Sequence, residues 1–118
     1  MNNIEMVSLG YHIKRHATVE EARELFIKYS QKLLQRINED EKMRPFLNQY
    51  PFTEKDIRFG LSFVQQNKKE FTDGSVAYVS LVRENIYYYR YDGEKQRFVE
   101  ILEEPYQVAL QHVQCHAR

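Results

Sequence analysis

Val76-Ala77-Tyr78-Val79-Ser80-Leu81-Val82-Arg83-Glu84-Asn85-Ile86-Tyr87-Tyr88-Tyr89-Arg90-Tyr91 decides the fold. Two runs rich in Val, Ile and Tyr, residue types that suit a pleated surface, flank one polar pair. Glu84-Asn85 has the length of the tightest hairpin loop, and Asn tolerates the positive φ such a loop needs. The stretch predicts antiparallel strands over residues 76–83 and 86–91. Arg83 then faces Ile86, Val82 faces Tyr87, Ser80 faces Tyr89 and Tyr78 faces Tyr91. Successive side chains of a strand point to opposite sides. Ala77, Val79, Leu81, Ile86 and Tyr88 therefore share one side. Tyr78, Ser80, Val82, Tyr87, Tyr89 and Tyr91 share the other.

Downstream, Asp92-Gly93 starts a turn and Arg97 to Leu102 reads as a shorter strand. Glu104 and Pro105 look like the cap and first turn of a helix, with Tyr106, Ala109, Leu110 and Val113 as its apolar stripe. Upstream, Thr72-Asp73-Gly74-Ser75 is turn chemistry. Residues 56–65 admit two readings. Thr53 and Asp56 could cap a helix with Ile57, Leu61 and Val64 on one face. The same residues alternate strictly, Ile57, Phe59, Leu61 and Phe63 against Arg58, Gly60 and Ser62. A glycine inside a helix costs about 1 kcal/mol relative to alanine, so the strand is expected.

Before it lies Arg44-Pro45-Phe46-Leu47-Asn48-Gln49-Tyr50-Pro51-Phe52-Thr53, an unusually apolar connector. Loops normally run polar over the surface. This one is expected to pack down as a strap that sets the angle between helix and sheet, with a recognition loop as the other reading. Ahead of it, Thr18 and Glu21 have capping-box spacing. Val19, Ala22, Phe26, Tyr29, Leu33 and Ile37 follow at helical steps, widened by Leu25 and Leu34. Glu20, Arg23, Glu24, Lys28, Gln31, Lys32 and Gln35 make the polar face. A helix to about Asp40 is predicted, one side laid on a sheet or another helix. Residues 6–14 alternate again and read as a strand.

The order is strand, long helix, strap, antiparallel meander, short helix. The expected fold is α+β and two-layered. A long N-terminal and a short C-terminal helix cover one face of an antiparallel sheet of four to five strands, in a single domain over residues 1–118. The length suffices for one core.

Charge narrows the functional classes. Seventeen basic residues balance seventeen acidic ones, which argues against wholesale electrostatic binding to nucleic acid or an anionic membrane. Arg83, Arg90 and Arg97 interleave with the tyrosines, as in sheets that stack bases. Glu84, Glu94, Glu100, Glu103 and Glu104 surround them, however, and no base-stacking motif appears, so no nucleic-acid partner is expected. No apolar run is long enough for a membrane helix, and no signal peptide is visible. With Cys115 the only cysteine, these features lead us to expect a cytoplasmic protein.

Catalytic and metal chemistry has little to stand on. His112 and His116 would share a helix face at metal-ligand spacing, with Cys115 beside them. No nearby carboxylate completes the set, and solvated histidines near a helix C-terminus suit its dipole. No phosphate loop, dinucleotide fingerprint, HExxH or GxSxG is present. We therefore expect no metal, no cofactor and no catalytic residue. An enzyme would need His12 or His16 to meet a carboxylate through folding.

One feature points toward binding. If the helices cover the aliphatic side, Tyr78, Tyr87, Tyr89 and Tyr91, with Arg90 among them, are left on the open side. Exposed aromatic patches mark interaction surfaces. Tyrosine is also an ordinary strand former whose hydroxyl reaches water. The leading expectation is a non-enzymatic binding domain, with a protein partner or a second copy docking on this face or on an edge strand. The alternatives are a small-molecule or peptide module with a groove between strap and sheet, and a small His/carboxylate enzyme.

Overall fold

The computed structural model describes residues 4–116. Its elements run β1 (Val7–Ile13), α1 (Val19–Glu39), β2 (Ile57–Phe63), β3 (Tyr78–Val82), β4 (Asn85–Asp92), β5 (Arg97–Pro105) and α2 (Tyr106–His116). The strands lie in chain order in one sheet. Both helices pack on one side of it, which makes the chain an α+β fold with a long N-terminal and a short C-terminal helix. No helix among the described residues is long and apolar enough to cross a membrane.

Each element follows from its local chemistry. Thr18 Oγ1 accepts from the Glu21 N–H at 3.2 Å while Glu21 Oε1 accepts from the Thr18 N–H at 3.0 Å, the reciprocal box that starts α1. The strict alternation of β2 buries Ile57, Phe59, Leu61 and Phe63. The competing cap signal is also real: Thr53 and Asp56 close a capping box on a single 3-10 turn, Glu54–Asp56, that leads into the strand. Phe26 of α1 meets Phe59 of β2 with ring centroids 5.2 Å apart. Val79, Leu81, Ile86 and Tyr88 continue the core across the sheet. Fully burying such side chains contributes about 1.5–3 kcal/mol each.

The structure corrects the expected order in four places. The sheet is mixed, because β1 pairs parallel to β2, Val7 with Ile57 through Ile13 with Phe63. Two strands joined by a helical crossover run parallel, and alternation of side chains carries no sign of direction. The hairpin loop is Arg83-Glu84, with Arg83 at φ 60°, so Val82 pairs with Asn85 and Tyr78 with Tyr89. Asn85 serves instead as the first residue of β4, its amide donating to Glu103 Oε2 at 3.1 Å. The slip is by two residues, an even number, so both faces of the hairpin keep the membership expected of them. β5 runs on to Pro105, and the Glu104 carboxylate binds Arg23 and Tyr88. Lastly, Arg23 is buried and off the solvated face of α1, while Tyr29 and Leu33 are only half-buried beside the stripe Ala22, Phe26, Ser30, Leu34 and Ile37.

The strap packs down in part. Phe52 is buried, pinned by Asn38, whose Oδ1 accepts from the Phe52 N–H at 2.7 Å and whose Nδ2 donates to the Phe52 carbonyl at 3.0 Å. Phe46 and Tyr50 stay exposed, and Arg44 lies over the Tyr50 ring at 4.8 Å.

Candidate functional site

The alternation that fills the core also builds the opposite side of the sheet. Tyr78, Tyr87, Tyr89 and Tyr91 all stand there, half-buried. Tyr78 and Tyr89 are cross-strand partners whose rings stack at 5.9 Å. Phe98 on β5 lies opposite Tyr91, with centroids 5.1 Å apart, and reaches Tyr78 at 6.1 Å. The rings Tyr89, Tyr78, Phe98 and Tyr91 thus form one connected patch, each contact worth about 0.5–1.5 kcal/mol beyond its buried area. Tyr87 flanks the patch opposite Ser80 and Glu103.

Gly60 is what lets the Tyr78 ring lie against the strand beside it. A Cβ there would sit 2.6 Å from Tyr78 Oη, so the Tyr78 ring occupies the space a side chain would take. Beside it, Ser62, Tyr78, Tyr89 and Phe98 line a hollow of about 370 Å³. Burial, and then the charge of Glu100 across the strand, push the Tyr89 phenol upward. It therefore stays a neutral group that donates and accepts. The outermost ring, Phe98, is 48% exposed.

Arg90 does not join this patch. In β4 it falls two residues after Tyr88, on the helix side of the sheet, paired with Val99. Arg97 is exposed at the start of β5 and Arg83 in the hairpin loop.

Folding does bring His16 to a carboxylate. Its Nε2 lies 2.9 Å from Asp73 Oδ2, both side chains being about half exposed. The Ser75 hydroxyl and N–H both donate to Asp73 Oδ1, at 2.6 and 3.0 Å. These bonds, and then the imidazole, pull the Asp73 pKa down to about 2. A nucleophilic relay needs the serine on the histidine and the histidine on the acid. Here serine and histidine both address the acid, so the hydroxyl is bonded to the carboxylate and not to the imidazole. His12 stands exposed on β1. His112 Nε2 lies 3.0 Å from Glu20 Oε2. The side chain of His116, the other half of that expected pair, lies outside the described residues.

A buried polar chain crosses the helix side. The Arg23 guanidinium donates to both oxygens of Glu104, at 2.9 and 3.2 Å, and to Glu20 Oε1 at 2.8 Å. The Tyr88 hydroxyl donates to Glu104 Oε2. Burial opposes the guanidinium charge, but the Glu104 hydrogen bonds and charge outweigh it and raise the Arg23 pKa. Burial, then Glu104, push the Tyr88 phenol up. Both groups stay protonated near neutrality, and the chain ties α1 to β5.

Sequence reading missed Phe98 and this buried chain. The Phe98 position was recoverable only from the length of the turn after Asp92; the helical spacing of Arg23 to Val19, Phe26 and Ile27 signalled its burial, but nothing local signalled its partner Glu104. Comparison with known protein families, with curated proteins and with solved structures finds no match to this chain.

Proposed function

We propose that this chain is a non-enzymatic interaction domain that docks a protein surface, a second copy or another protein, on the open side of its sheet. The observation that carries the reading is the connected patch of Tyr89, Tyr78, Phe98 and Tyr91, which among the described residues has no helix over it and ends in a half-exposed phenylalanine. Large rigid rings bury much area for little lost rotamer entropy, and tyrosine keeps its hydroxyl hydrated before a partner arrives. Glu100 and Glu103 at the rim leave room for a partner's cations. The His16–Asp73–Ser75 group does not favour a catalytic reading, because the imidazole meets the acid and not the serine.

The test pairs sedimentation with a pull-down on Tyr89→Ser and Phe98→Asp. Both variants should melt close to the parent and lose association. Association unchanged in both would remove the open side as the docking surface.

A further inference from the structure

The two outer strands of the sheet are built differently. A free strand edge invites another chain, and proteins guard it with charge, proline, bulges or short length. β5 has these guards: Arg97, Glu100, Glu103 and Glu104, then Pro105, and a bulge where the register shifts at Ile101. β1 has none of them. Its seven residues, Val-Ser-Leu-Gly-Tyr-His-Ile, contain no Lys, Arg, Asp, Glu or Pro, and their register with β2 is unbroken. Among the described residues no strand pairs along its outer side.

Beside this edge, between β1 and α1, lies a cleft of about 340 Å³. Ile13, Leu33 and Leu61 give it apolar walls. Lys32 and Arg36, one turn apart on α1, give it a basic rim, and among the described residues no acidic side chain lines it. Neither cation forms an ion pair or hydrogen bond with another side chain among the described residues. An extended peptide laid on a free edge gains main-chain hydrogen bonds, while every second side chain drops into the neighbouring groove. A groove between helix and edge strand, apolar below and basic at the rim, suits a strand with acidic side chains on that side.

We propose that the outer edge of β1 and the α1 cleft together bind an extended, acidic segment of a partner protein as an added strand. The site is on a different part of the molecule from the aromatic patch and goes beyond the reading above. A second copy is the weaker occupant. Continuing the sheet through a two-fold axis would set the Lys32–Arg36 rims of the two copies against each other, and facing like charges select against a partner.

The experiment selects peptides from a random display library on the full chain, then measures a synthetic copy of the strongest binder. Asp and Glu should be enriched. The β1 amides should exchange more slowly in the complex. Lys32→Glu/Arg36→Glu, both on exposed positions, should weaken that peptide by at least about tenfold, while Tyr89→Ser leaves it unchanged. Peptides without acidic bias, or acidic peptides indifferent to the charge reversal, would overturn the site. So would β1 protection that comes from dimerisation without peptide. A peptide lost on Tyr89→Ser but unmoved by the charge reversal would assign binding to the open side and refute this proposal alone.

Discussion

Tyr88 and Tyr89 are consecutive residues of one strand, and the sheet treats them in opposite ways. Tyr88 is fully buried beneath the helices, with Glu104 accepting its hydroxyl. Tyr89 is half-buried on the open side, its ring stacked on Tyr78. A buried phenol must bring its own acceptor, or leave an unsatisfied group that costs about 1–3 kcal/mol. The open side makes no such demand, because water satisfies the hydroxyl. The same residue type is therefore structural cement on one side and available contact surface on the other.

The largest effect expected on this contrast comes from the covered side. Phe26→Ala should lose about 3–5 kcal/mol in chemical denaturation; a loss under about 1 kcal/mol would mean that α1 presents another face. Arg23→Ala leaves Glu104 buried without its cation and should cost a comparable 3–5 kcal/mol or so. Were Arg23→Ala neutral, the polar chain would be decoration.

Tyr88→Phe removes a single donor and should cost about 1–3 kcal/mol. It also has a signature in pH. Burial and Glu104 hold the Tyr88 phenol above the ordinary tyrosine range, and burial does the same for Tyr106. The folded chain keeps protons that the unfolded chain releases above about pH 10. The stability from these groups is complete below that pH and lost progressively above it, as pH rises toward the raised pKa of the folded groups. Tyr88→Phe should flatten the alkaline loss seen in a melt series; Tyr89→Phe should hardly move it, since Tyr89 is partly exposed.

On the open side, Gly60→Val would drive the Tyr78 ring from its seat and should cost about 1–3 kcal/mol. Tyr89→Ser gives up the ring contact with Tyr78 and should cost the least, about 0.5–1.5 kcal/mol in a thermal melt. If Tyr89→Ser unfolded the chain, the two sides would not differ as described.

Which parts of this contrast were readable depends on how local their causes are. The two sides of β2, β3 and β4 follow from alternation, and even the misplaced hairpin loop preserved them because the slip was by two. The choice between Glu84-Asn85 and Arg83-Glu84 rests on a third strand, through the contacts of Asn85 with Glu103 and Pro105. Arg23 sits among Glu20, Glu21 and Glu24 in sequence, but in helical projection it falls between Val19, Phe26 and Ile27, inside the buried stripe. Its burial depends on Glu104, which β5 delivers from the far end of the chain. His16 and Asp73 meet for the same kind of reason. Phe98 was visible as a strand residue, but the bulge at Ile101 breaks the parity that would have assigned its side from the C-terminal end.

The parallel placement of β1 has a consequence in time. Hairpin partners such as β3 and β4 close short loops, whereas Val7 must find Ile57 across the whole of α1 and the strap. Closing a longer loop costs more entropy, and contacts distant in sequence form more slowly. β1 should therefore dock late, after the meander has formed, and be among the first parts to open. In native-state hydrogen exchange its amides would report sub-global opening while those of β3 and β4 report the global limit. Each such opening briefly turns β2, the most deeply buried strand of the sheet, into the outer edge.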